Sequence, residues 1–171
     1  MNKSSRALPF ALASLAVLLV AAPLTGADAV KKIALVTIPA ELQLKTSPEK
    51  VWSVLVTREG FSALTGIKMT GELSSFSQVG DHVSAEVGGD KGHLFVTAFL
   101  PPTELRVNFE PEGGHYFCQQ RIKLSPWSGG TTLSLTERYT DEKSGAEDTA
   151  KRVAAELRDS TRTFPKLVEQ P

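Results

Sequence analysis

Cysteine is almost absent from this chain of 171 residues, in which Cys118 carries the single thiol. One thiol excludes an intramolecular disulfide framework and a thiolate-rich zinc or iron–sulfur site. The chain also lacks an excess of charge of either sign, because Lys and Arg together number 19 and Asp and Glu together number 19. Without surplus positive charge to neutralise phosphates, nucleic-acid binding is not expected.

Histidines and familiar catalytic motifs are also scarce. His82, His93 and His115 lie on separate predicted elements without the paired spacing of metal ligands, so no metal site is expected. The chain has no serine elbow, and its glycine-rich segment 88–92 joins two predicted strands instead of opening a helix, which argues against a phosphate-binding loop. We therefore expect neither a metal ion nor an organic cofactor.

The longest apolar run stands at the start of the chain. Lys3 and Arg6 precede an apolar stretch over residues 7–24, and small residues occupy positions 27 and 29. This pattern is typical of a secretory signal with cleavage after Ala29. Two prolines leave about 13 uninterrupted residues in the stretch, fewer than the roughly 20 of a membrane-spanning helix. We expect residues 1–29 to be a signal peptide and residues 30–171 to be one exported domain, periplasmic or secreted, without an integral membrane segment.

The rest of the chain predicts one strand, two short helices, six further strands and a long final helix. Ser47 and Pro48 are typical of a helix start, Gly60 is expected to end that helix, and residues 61–64 form a second helical turn. The predicted strands cover 33–45, 67–73, 83–87, 91–100, 104–110, 116–124 and 131–139. Residues 146–168 form an amphipathic helix, which Pro165 is expected to kink or end. This α+β pattern predicts a curved antiparallel sheet wrapped around the last helix.

Three local sequences resemble those of a known superfamily. They are Ser47-Pro48-Glu49-Lys50-Val51-Trp52 at the first helix, Gly92 with Pro101-Pro102-Thr103-Glu104-Leu105-Arg106 on neighbouring strands, and Gly130-Thr131-Thr132-Leu133 at the last strand. They resemble the START-like, birch-pollen-allergen superfamily called SRPBCC, including polyketide cyclase/dehydrase-like members and relatives of the activator of the heat-shock-protein-90 ATPase. The resemblance covers about residues 38–168 and implies a helix-grip fold. Activator-related members usually carry a tryptophan soon after the second helix, where this chain has Leu64-Thr65-Gly66-Ile67.

The resemblance implies that function lies in a cavity between the sheet and the long helix. Side-chain alternation along the last two strands predicts that Cys118 and Gln120 face inward near Glu137 and Tyr139. These four residues would form the polar end of an otherwise apolar pocket. The complete set of predicted cavity residues is Leu94, Val96, Leu105, Val107, Cys118, Gln120, Leu135, Glu137, Tyr139, Ala150, Ala154 and Leu157.

Several positions allow two interpretations from the sequence. Glu137 and Tyr139 stand near a strand end, where they would either meet solvent or contact a ligand. Phe95 and Phe99 either line the cavity or cover the opposite face of the sheet. Cys118 is expected to act as a small buried hydrophobe rather than a nucleophile.

The leading functional hypothesis is an exported protein that binds an apolar or amphipathic small molecule, a lipid or a polyketide-like compound. We expect it to be a monomer or a weak homodimer. The second hypothesis is a cyclase- or dehydrase-like enzyme, in which Glu137 and Tyr139 perform acid–base catalysis and burial raises the pKa of Glu137. The third is a protein-interaction module resembling the activator of the chaperone ATPase.

Overall fold

The computed structural model describes residues 34–114, 116–141 and 146–169. The strands are β1 (Ala34–Leu44), β2 (Lys68–Met69), β3 (His82–Val87), β4 (Asp90–Leu100), β5 (Glu104–Pro111), β6 (Tyr116–Trp127) and β7 (Gly130–Asp141). The helices are α1 (Pro48–Leu55), α2 (Arg58–Thr65) and α3 (Ala146–Val168). The proposed signal peptide and His115 lie outside the described residues.

All seven strands form one antiparallel sheet in the order β1-β7-β6-β5-β4-β3-β2. The sheet is curled into a half-barrel, as the helix-grip prediction requires. The long α3 packs against β1, β7, α1 and α2. Apolar side chains of all seven strands supply the inner face, so the core lies between the sheet and the three helices.

The two short helices are separated by a tight break at Val56 and Thr57. Ser47 caps α1, and Thr57 caps α2 by accepting a hydrogen bond from the backbone N–H of Gly60 at 3.0 Å. The prediction that Gly60 ends the first helix was therefore wrong. The helix ends five residues earlier because the Thr57 hydroxyl favours a new helix start, and Gly60 belongs to the first turn of α2.

The second predicted strand is much shorter than expected. Pairing with β3 is confined to Lys68 and Met69. Beyond it, the carbonyl oxygens of Gly71 and Leu73 accept hydrogen bonds from the Arg58 guanidinium. A side chain from α2 thus satisfies backbone groups that alternation alone had assigned to a strand.

A bulge in β4 decides which face each of its phenylalanines occupies. The register with β5 shifts between Val96 and Ala98, and an inserted residue reverses the alternation beyond it. Phe95 lies on the outer face and stacks with His82 at 6.1 Å between ring centroids. Phe99 lies on the inner face, where its ring meets Trp52 at 5.1 Å.

The C-terminal helix is the long amphipathic helix that the sequence predicts. Phe164 and Val168 are buried in the core. Pro165 does not end the helix, which continues to Val168, and the Pro165 carbonyl accepts a hydrogen bond from the N–H of Glu169 at 2.9 Å. Among the described residues, no helix combines the length and hydropathy needed to cross a membrane.

Candidate functional site

A cavity of about 380 Å³ lies between the sheet, the end of α2, the β3–β4 turn and α3. Its polar wall comes from neighbouring positions of β6 and β7, and α3 closes the opposite side. The lining residues are Thr65, Gly66, Ile67, Val87, Gly88, Cys118, Gln120, Glu137, Leu157 and Asp159.

The polar wall is a buried cluster of three side chains. Gln120 lies directly opposite Glu137 in the register of β6 and β7, and only 1% and 6% of their surfaces are exposed. The Gln120 Nε2 donates a hydrogen bond to the Glu137 Oε2 at 2.9 Å. The Cys118 thiol approaches the other carboxylate oxygen of Glu137 at 3.5 Å. The sequence prediction that these residues meet on the inner face is confirmed.

One polar atom in this cluster has its hydrogen-bonding capacity unused. The Gln120 Oε1 is buried and has no hydrogen-bond partner among the described residues. Because the amide N–H group faces the Glu137 carboxylate, the amide oxygen is left as an acceptor. A buried acceptor without a donor costs about 1–3 kcal/mol, so a molecule that supplies a donor here gains affinity.

Tyr139 is buried but lies outside the cavity lining. Its ring stacks on Tyr116 at 5.1 Å between centroids. Arg152 of α3 lies over the ring at 5.7 Å and donates a hydrogen bond to the phenolic oxygen at 3.3 Å. Burial, together with Asp90, raises the pKa of the Tyr116 phenol. Tyr139 therefore joins the sheet to α3, and the alternative that Tyr139 and Glu137 form a solvated rim is wrong, since both are 6% exposed.

The other predicted cavity residues occupy different parts of the inner face. Leu157 of α3 lines the cavity with Cys118, Gln120 and Glu137. Ala154 is half-buried against the core, whereas the side chain of Ala150 falls outside the described part of the chain. The remaining five are fully packed in the core and do not line the cavity: Leu94, Val96, Leu105, Val107 and Leu135.

Sequence reasoning missed the lining residues that come from turns and helix ends. Gly66 adopts a left-handed conformation with φ of 74° and caps the end of α2. Beside it, the Thr65 hydroxyl donates to the Phe61 carbonyl and accepts from the Ile67 N–H. Which strand ends Gly66 approaches depends on how far the sheet curls. Alternation carries no information on that point.

The cavity offers acceptor and acidic groups along with apolar walls. Glu137 and Asp159 are the acidic residues of its lining, and the described lining contains no Lys, Arg or His. No group of three or more His, Cys, Asp or Glu side chains in the described ranges is arranged to hold a metal ion.

Comparisons with known proteins identify the fold. No protein-family model and no curated protein matches the chain. Protein CV1439 from Chromobacterium violaceum superposes with a TM-score of 0.61 at 19% identity, over 79% of this chain and 99% of its own. The Aha1 dimer from Colwellia psychrerythraea superposes with a TM-score of 0.59 at 17% identity, over 78% of this chain and 96% of its own. DynU16, from the dynemicin biosynthetic locus, superposes with a TM-score of 0.60 at 17% identity, over 78% of this chain and 47% of its own. These likenesses fit a helix-grip fold and, at such identities, concern the fold alone.

Proposed function

We propose that this protein binds an apolar or amphipathic small molecule in the cavity between the sheet and α3. The observation that carries the proposal is the Gln120 amide oxygen, which is buried without a hydrogen-bond donor in a residue of the cavity wall. The volume of about 380 Å³ falls within the range of known small-molecule sites. The ligand's apolar body would pack on Ile67, Val87 and Leu157.

The chemistry of the wall defines the polar end of the ligand. A hydroxyl, phenol or amine donates a hydrogen bond to the Gln120 oxygen after a small rotation of the amide, whereas a carboxylate only accepts. The acidic groups Glu137 and Asp159 in the same lining disfavour an anionic head group further. We propose a neutral or cationic donor-bearing amphiphile or polyketide-like phenol, rather than a fatty-acid anion.

The matched compounds 2-naphthol and 2-methoxynaphthalene test this proposal. They share one apolar body, but only 2-naphthol donates a hydrogen bond. We expect calorimetry to give about tenfold tighter binding of 2-naphthol, corresponding to about 1.4 kcal/mol for satisfying the buried acceptor. In Gln120→Met, which removes the amide, the two affinities become equal. Equal affinities for the unaltered protein would contradict the role of Gln120, and failure of both compounds to bind would contradict the site.

A second candidate function is acid–base catalysis in the same cavity, favoured by the buried carboxyl group of Glu137. A general acid or base needs such a group within reach of the substrate, and Glu137 lines the cavity. The resemblance of the sequence to polyketide cyclase/dehydrase-like proteins directs the search for substrates towards polyketides. Glu137→Gln is expected to abolish turnover while binding of the same compound survives. Turnover by this variant at the original rate would dismiss the enzyme hypothesis.

The proposal also includes export of the protein and its oligomeric state. Residues 1–29 would direct export, so the intact mass of the natural protein should correspond to a chain beginning at Val30. We propose that the exported domain is a monomer or a weak homodimer, and the Aha1 dimer offers a structural precedent for self-association in this fold. Analytical ultracentrifugation over a concentration series distinguishes these states.

A further inference from the structure

A second concave site lies on the outer face of the sheet, away from the cavity. It has a volume of about 470 Å³ and is lined by Arg106, Gln119, Arg121, Thr136 and Arg138. We call it the arginine groove. These residues alternate along β5, β6 and β7 with the buried residues of the inner face, so the groove is independent of the proposed ligand cavity.

The strand register brings the cationic side chains together. Arg106 lies directly opposite Arg121, and Arg121 lies directly opposite Thr136. In the adjacent row Gln119 lies opposite Arg138, which places Arg138 diagonally across from Arg121 at a typical separation of about 7–8 Å. Like charges directly opposite each other destabilise a sheet, so this arrangement requires an anion nearby.

Glu104 supplies part of the negative charge that the opposed arginines need. Its carboxylate binds Arg121 through two hydrogen bonds of 2.9 and 2.8 Å and Arg106 through one of 2.7 Å. The Arg121 guanidinium, with help from Arg106, holds the pKa of Glu104 below its ordinary value. Glu104 thereby fixes two guanidinium planes beside each other. Three arginines against one carboxylate still leave two positive charges in excess.

Unused donor capacity remains in the groove. The Nε of Arg106 is buried and has no hydrogen-bond partner among the described residues. Arg138 is exposed, and the Thr136 side chain is half-buried in the floor. Arginine donors that arrive from several strands suit a tetrahedral anion, whose oxygens accept hydrogen bonds from many directions. The oxygens of a planar carboxylate accept mainly within one plane.

We propose that the arginine groove binds a phosphate group. The group belongs either to a free phosphate or phosphate ester, or to a lipid phosphomonoester, and both offer the same oxygens to Arg106, Arg121 and Arg138. Binding would depend on salt, because the groove is open to solvent.

Calorimetric titration with inorganic phosphate at low ionic strength tests the proposal. We expect Arg138→Gln to weaken binding at least tenfold, since it removes the exposed guanidinium of the groove. Lys123→Gln is the matched control, because Lys123 is exposed on the same outer face of β6 but lies outside the groove. It removes the same charge and is expected to change the affinity less than twofold.

Vesicles distinguish the two sources of phosphate. The protein is sedimented with phosphatidylcholine vesicles that either contain or lack phosphatidic acid. Binding to the phosphatidic acid vesicles alone, lost in Arg138→Gln and kept in Lys123→Gln, assigns the groove to a lipid head group. The same pattern with inorganic phosphate assigns it to a soluble ligand. Equal weakening by both substitutions, or no binding of either probe, would overturn the proposal.

Discussion

Replacing Gly60 with alanine is expected to lower the free energy of unfolding by about 3 kcal/mol. In an ordinary helix the same change stabilises by about 1 kcal/mol, because alanine is the better helix former. Here a Cβ atom on Gly60 would lie 2.0 Å from the carbonyl oxygen of Val54 and 2.7 Å from its carbonyl carbon. Both contacts are with the backbone of the last turn of α1, which cannot yield without moving the helix.

Urea denaturation of Gly60→Ala and Ser62→Ala measures this effect. Ser62 is half-buried in the same helix, and its substitution is expected to change stability by no more than about 0.5 kcal/mol. The difference in unfolding free energy between the two variants separates the effect of the steric contact with Val54 from the effect of helix propensity. A Gly60→Ala protein as stable as the original would contradict the described packing of α1 and α2.

Replacing Val87 with tryptophan is expected to weaken 2-naphthol binding at least tenfold while the protein stays folded. Val87 is the last residue of β3, is half-buried and lines the cavity. An indole at this position occupies space that the ligand needs. The position borders the β3–β4 turn, where Gly88 and Gly89 have positive φ angles and open surroundings, so the larger ring can be accommodated without disturbing the central core.

Val79→Trp provides the control for this prediction. Val79 is 59% exposed and does not line the cavity, so the same substitution there should leave 2-naphthol affinity unchanged. Circular dichroism establishes that both variants keep the native fold. Unchanged affinity in Val87→Trp would place the ligand elsewhere on the molecule.

The sequence was sufficient to predict the order of elements and the inner faces of the last two strands. Two-residue alternation places Cys118 and Gln120 on one side of β6 and Glu137 on the same side of β7. Antiparallel pairing then brings them together, and the observed register joins Gln120 to Glu137. This inference succeeded because polar residues interrupt two apolar faces at matching distances from one connecting turn.

Other features depend on tertiary contacts that alternation does not describe. The early end of α1 follows from the Thr57 cap, and the shortened β2 follows from the capture of backbone carbonyls by Arg58. The bulge after Val96 places Phe99 on the inner face. The arginine groove could not be predicted from the sequence, because its residues are separated along the chain and the overall charge is balanced.

Native mass spectrometry of the protein purified from its natural source, followed by solvent extraction, tests whether the cavity holds a small molecule. We expect one retained small molecule with an apolar body and a hydroxyl, phenol or amine, present in the unaltered protein and absent from Val87→Trp. A molecule retained equally by both proteins would contradict binding in the cavity. An empty protein that also fails to bind 2-naphthol would contradict the proposed function.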